Sequence, residues 1–133
     1  MDIQFSGKRM VEEKLKQRIS HDFEFIKRQV QGIILFGSYA DDSYTIRSDI
    51  DICLVAGGRS VKEIFNMFLA EAVTEKYDIK IFETLPLYMK AEILENSVII
   101  WTDNEFELSY YLYKWRRLIE DQLIIRQKLT DEF

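Results

Sequence analysis

An α/β fold is what this sequence predicts: a mixed sheet of about four strands flanked by helices, closed by a long C-terminal helix. Three observations predict it. Short β-rich apolar runs alternate with longer segments of helical periodicity along 133 residues, the length of one domain. A hydrophobic content of 47% beside 31% charged residues supplies a core without a fibrous or disordered signature. No repeat, linker or low-complexity stretch divides the chain, so residues 1–133 are expected to form one domain.

The elements follow in order. Met10, Val11, Leu15, Ile19, Phe23, Ile26 and Val30 recur near helical spacing and predict a helix over about 7–29. Gly32 opens a β-rich run at 33–36 that Gly37 closes, too short for a helix and therefore the first strand. Over 49–56, Ile50, Ile52 and Leu54 alternate with Asp49, Asp51 and Cys53, which makes a second strand with one special face. Ser60 and Glu63 have the spacing of a capping box and start a helix through Val61, Ile64, Phe65, Phe68, Leu69 and Val73, expected to end near Lys76. A third strand is expected at about 78–83, a short helix after Pro86 and a fourth strand at 98–101. Thr102 and Glu105 form a second capping-box pattern, and the residues to about Leu129 contain strong helix formers with no Gly or Pro.

Composition removes several function classes. Eighteen Lys and Arg against 23 Asp and Glu leave a net charge of −5, the wrong sign for a domain that tracks nucleic-acid phosphates. One cysteine and one histidine cannot build an internal disulfide or a zinc site of imidazoles and thiolates. The longest apolar run is Ile52 to Ala56, against about 18 residues for a membrane span, and the opening MDIQFSGKRM has no signal core. No membrane association and a cytoplasmic location are expected. Neither a P-loop nor a dinucleotide-binding glycine pattern occurs.

The chemistry concentrates in GSYADDSYTIRSDID, residues 37–51. Residues two apart in a strand point the same way, so Asp49 and Asp51 present two carboxylates on one face. Hard oxygen ligands side by side suit magnesium, with water and substrate phosphates completing its shell. A bare Asp-x-Asp is also what a solvated strand end looks like. Gly37 and Ser38 shift the balance, since a residue without a Cβ lets backbone N–H groups approach a phosphate and the hydroxyl adds a donor. A third carboxylate follows from topology. The strand at Asp49, the Ser60 helix and the strand at Asp78 form a crossover unit, which makes the two strands parallel and puts both starts at one edge. If they are neighbours pleated in phase, Asp78 joins Asp49 and Asp51 in a set able to hold two metal ions around a phosphoryl group. Asp78 could then take the proton of an attacking hydroxyl; otherwise it is a helix-to-strand turn residue. Lys80 shares the Asp78 face, to counter triphosphate charge or to pair with a carboxylate.

With GS-x10-DxD, the trailing YDIKIFETLPLYMKAEIL and a final helix, the chain resembles the minimal nucleotidyltransferases of the DNA polymerase β superfamily. More narrowly it resembles the MNT antitoxin of HEPN/MNT toxin-antitoxin pairs, from about Gly32 onward. The resemblance implies a single minimal nucleotidyltransferase domain. Gly37 and Ser38 would contact nucleotide phosphates, and Asp49, Asp51 and Asp78 would be catalytic and hold Mg2+, as two ions. It further implies ATP as substrate, transfer of AMP with release of pyrophosphate, and a tyrosine of a HEPN ribonuclease toxin as the acceptor. Related sequences carry Arg-Gly after GSxA, where this one has Asp41-Asp42. The alternative function is a non-catalytic antitoxin that blocks its partner by stoichiometric contact.

The final helix, from Phe106 through Trp115 to Ile125, has more apolar surface than one stripe on a sheet requires. The excess is either core or an interface for a homo-oligomer or a partner complex. Cys53 has no histidine or second cysteine near it in sequence and reads as a small core residue.

Overall fold

The computed structural model describes residues 6–37, 40 and 49–131. Its elements run α1 (Ser6–Asp22), β1 (Gly32–Phe36), β2 (Ile50–Val55), α2 (Val61–Leu69), β3 (Tyr77–Ile81), α3 (Leu87–Glu95), β4 (Ser97–Thr102) and α4 (Glu105–Asp131). The four strands form one mixed sheet in the order β3-β2-β1-β4. β1 is antiparallel to both β2 and β4, and β2 is parallel to β3. This is the expected α/β architecture, with the strands within one or two residues of their predicted spans.

Alternation in the strands divides the core in two. Ile33 and Leu35 of β1 and Ile52 and Leu54 of β2 pack with Ile19 of α1 and Ile64 and Phe68 of α2. Ile34, Phe36, Cys53 and Val55 face the other way, onto Phe82, Ile93 of α3 and Leu108 of α4. Helices therefore cover both faces, which is why β1 and the end of β2 are buried on both sides. A Cβ on Gly32 would come within 2.8 Å of the Leu108 side chain, so the missing side chain lets α4 settle against β1.

Three predicted boundaries move. The first helix stops at Asp22, and Glu24–Gln29 winds as a 3-10 helix that still buries Ile26. The tighter three-residue turn aligns Phe23 with Ile26, and both are fully buried. The second helix ends at Leu69 rather than near Lys76, and Ala72–Glu75 is again 3-10, with Val73 buried. The cap of α4 is Asn104 rather than Thr102: the Glu107 N–H donates to Asn104 Oδ1 at 3.0 Å. The Thr102 hydroxyl is engaged elsewhere, donating to the Gln31 carbonyl at 2.8 Å. The Ser60 box forms as expected, its hydroxyl accepting from the Glu63 N–H at 3.2 Å.

α4 has 27 residues, roughly 40 Å. Its first half packs on the sheet through Leu108, Tyr111, Leu112 and Trp115. Beyond Ile119 the apolar side chains Leu123, Ile124 and Leu129 are more than half exposed. Among the described residues no helix is long and apolar enough to cross a membrane.

Candidate active site

The sheet's connectivity brings distant residues to one edge. β1 ends where β2 begins, because they are antiparallel, and β3 begins beside β2, because they are parallel. Phe36, Asp51 and Asp78 consequently form one row across three strands, Phe36 opposite Asp51 and Asp51 opposite Asp78. The condition set by the sequence argument, neighbouring strands pleated in phase, is met. Asp51 lies on the same strand face as Cys53 and Val55 at the rim of the second core cluster, half-buried. Asp49 precedes β2 and is exposed, and Asp78 is 47% exposed.

Crowding of negative charge sets the electrostatics. The Asp51 carboxyl is pushed up to about 6, first by burial, then by the charge of and a hydrogen bond with Asp78, with Asp49 adding a smaller push. Lys80 opposes the shift and donates to Asp78 Oδ1 at 3.3 Å, the ion pair that its spacing allowed. A half-buried carboxylate with a second one beside it is a site that a cation relieves.

Gly37 is shaped to that pair. Its φ of +75° lies in the left-handed region, and a Cβ there would overlap the Asp51 carboxylate. Both the backbone and its neighbour therefore require glycine at the end of β1. Its carbonyl accepts from the Ala40 N–H at 3.0 Å, which closes the turn that follows the strand. Ser38, the other predicted phosphate contact, lies outside the described residues, as do Asp41 and Asp42.

Among the described residues no group of three or more His, Cys, Asp or Glu side chains stands ready to hold a metal ion. Asp51 and Asp78 alone supply two hard carboxylates, and magnesium characteristically takes one or two of these with water and phosphate oxygens. The residues fit such an ion. Asp49 is near enough to act on Asp51 through its charge.

Three functional-looking side chains escaped the sequence reading. Glu83 follows β3 and accepts from the Ala56 N–H at 3.0 Å, the Gly57 N–H at 2.9 Å and the Tyr111 hydroxyl at 2.7 Å. It thereby ties the end of β2 to α4. Burial and the Glu83 bond push the Tyr111 hydroxyl up to about 12. Lys90 is 5% exposed, donates to the Leu85 carbonyl at 2.6 Å and lies 4.7 Å from the centre of the Trp115 ring. These groups sit at the opposite end of β2 from Asp51 and hold the scaffold. The partners of Glu83 are 26 to 28 residues away, so local pattern carried no signal for them. Cys53 is a buried free thiol, pushed far above its ordinary range by burial, consistent with a core role.

Comparison with known proteins gives concordant matches. Residues 13–106 match the family model described as polymerase beta, nucleotidyltransferase. A Methanocaldococcus jannaschii protein whose assigned name is that of a protein adenylyltransferase is 50% identical over 93 residues, covering 70% of this chain and 72% of that one. Among solved structures, a toxin-antitoxin crystal structure with AMP-PNP superposes with a TM-score of 0.65 at 20% identity, over 88% of this chain and 96% of that one. A tri-AMPylated Shewanella oneidensis HEPN toxin in complex with MNT antitoxin gives a TM-score of 0.61 at 18% identity, over 88% and 93%. At those identities the two structures speak for the fold.

Proposed function

Because the chain belongs to the polymerase beta nucleotidyltransferase family, we propose that it is a protein adenylyltransferase: it transfers AMP from ATP to a tyrosine of a HEPN ribonuclease toxin and so acts as the antitoxin. The observation that carries the reading is the in-register pairing of Asp51 with Asp78 beside Gly37. The 50% identity to a protein named for adenylyl transfer supports the group transferred. The tri-AMPylated toxin in a complex of the same fold supports the class of acceptor.

Each residue has a task in the reaction. Gly37 and Ser38 are assigned to the triphosphate: a residue without a Cβ permits close approach of a phosphate to the backbone, and serine brings a hydroxyl donor. Asp51 and Asp78, with Asp49 beside them, would hold magnesium as one or two ions, which supplies neutralisation of phosphate charge. The acceptor hydroxyl oxygen attacks the α-phosphorus, the bond from that phosphorus to the bridging oxygen of the β-phosphate breaks, and pyrophosphate leaves. Asp78 is the more exposed carboxylate of the pair and takes the hydroxyl proton. Lys80, paired with Asp78, offsets charge at the same edge.

The exposed apolar second half of α4 favours a partner complex and equally suits an antitoxin that works by contact alone. Purified chain mixed with its partner and MgATP separates the two. The enzymatic reading expects pyrophosphate release that parallels loss of the partner's ribonuclease activity. Loss of ribonuclease activity at equimolar mixing without ATP would establish the contact mechanism instead.

A further inference from the structure

β3 is an edge strand: among the described residues it pairs with β2 on one side and with nothing on the other. A groove of about 790 Å³ follows that free edge. Val61, Phe65 and Phe68 of α2 wall one side, Leu85 and Met89 wall the other, and Ile79 and Ile81 contribute from the strand between them. Phe65 is 48% exposed, so the apolar surface is open to a visitor. Among the described residues the groove's charged lining is Lys62 and Lys80 without an acid, in a chain whose net charge is −5. At its start stands Asp78, two residues from Lys80 on the same strand face, roughly 7 Å along the strand.

These features together describe a seat for an extended polypeptide. Unpaired edge N–H and C=O groups give main-chain pairing, apolar walls take alternate side chains, and the exposed Lys62 favours an acidic residue. Free lysine on an edge is also a way to discourage pairing, but Lys80 is turned to Asp78 and leaves Ile79 and Ile81 at the groove. We propose that this groove seats the acceptor: a strand of the partner protein, with apolar residues at alternate positions and an acidic residue that meets Lys62, pairs with β3 and delivers its hydroxyl to Asp78. The assignment rests on the adenylyl-transfer reading above and adds to it how the acceptor is chosen.

The test uses the full chain with the protein encoded beside it as partner. Phe65→Ser and Lys62→Glu alter exposed side chains, which spares the core. Each is expected to lower kcat/KM for the partner about tenfold, the loss of one interface anchor, with KM for ATP unchanged. A rate of modification equal to wild type, or a fall traced to weaker ATP binding, would overturn the assignment. A second measurement does not depend on turnover. Phe65→Cys introduces an exposed thiol, Cys53 being buried, and a photo-crosslinker attached there should capture the partner segment that contains the modified residue. Capture of a segment remote from that residue would also overturn it. If wild type transfers no AMP while the crosslink still maps to one extended partner segment, the adenylyl-transfer reading fails and the seat stands.

Discussion

Replacing Asp51 with asparagine is expected to stabilise the protein while ending its chemistry. The wild-type carboxylate is held half-buried against Asp78, and its carboxyl is raised from 3.8 to about 6. A shift of that size corresponds to about 3 kcal/mol of unfavourable interaction in the ionised state, at roughly 1.4 kcal/mol per tenfold. Solvent reaches part of the site, and screening reduces the recoverable amount to about 1–2 kcal/mol. For a chain of this size the melting temperature should rise by roughly 3 to 8 °C at pH 7.5 without divalent metal. The sign of the pH dependence follows from linkage. A raised acid binds more protons folded than unfolded between 3.8 and about 6, so its penalty is complete above pH 6 and fades as pH falls through that window. The difference in melting temperature between Asp51→Asn and wild type should therefore shrink from pH 7 to pH 4. Scanning calorimetry of both proteins in metal-free buffers reads this directly. An Asp51→Asn protein no more stable than wild type at pH 7.5, or a difference that grows on acidification, would refute the reasoning.

Other perturbations have equally definite outcomes. Magnesium with a non-hydrolysable ATP analogue should raise the melting temperature of wild type and leave Asp51→Asn unchanged, as differential scanning fluorimetry would record. Gly37→Ala places a side chain at φ +75° and into the Asp51 carboxylate; a loss of about 1–2 kcal/mol in denaturant unfolding should accompany at least a hundredfold loss of transfer. Glu83→Ala strips the acceptor from the Ala56 and Gly57 N–H groups and should cost about 3 kcal/mol in urea unfolding. In that variant the Tyr111 hydroxyl should titrate below its wild-type value of about 12, followed by phenolate absorbance. Lys90→Met leaves the Leu85 carbonyl unpartnered and should destabilise by about 1–3 kcal/mol with KM for ATP unchanged.

Local pattern in this chain specified what local physics decides. The alternation of Ile50, Ile52 and Leu54 with Asp51 and Cys53 placed Asp51 on one face of β2, with Asp49 falling just before the strand, and the crossover rule put Asp78 at the same edge, where the register pairs it with Asp51. Ser60 capped its helix because its partner, the Glu63 N–H, is three residues away. Thr102 had the same local pattern and did not cap, since the Gln31 carbonyl, 71 residues distant, claimed its hydroxyl. Glu83 and Lys90 were illegible for a related reason: a charge that satisfies buried backbone groups looks, in one dimension, like any surface charge. The breaks at Asp22 and Leu69 follow from packing, as short 3-10 turns carry Ile26 and Val73 into the core where a continued helix would turn them away. Of the apolar surface of the last helix, part is core, with Leu108 fully buried and Ile119 5% exposed, and part faces out, with Phe106 80% and Leu123 56% exposed.

The central claim, covalent transfer of AMP to a partner protein through the aspartates at the sheet edge, is tested most directly by intact-mass spectrometry. The neighbouring gene's product would be co-expressed with wild type and with the Asp49→Asn, Asp51→Asn double variant. The account predicts a partner heavier by one or more AMP groups with wild type and unmodified with the variant, though still bound. An unmodified partner in both cases, equally neutralised in a stable complex, would contradict it.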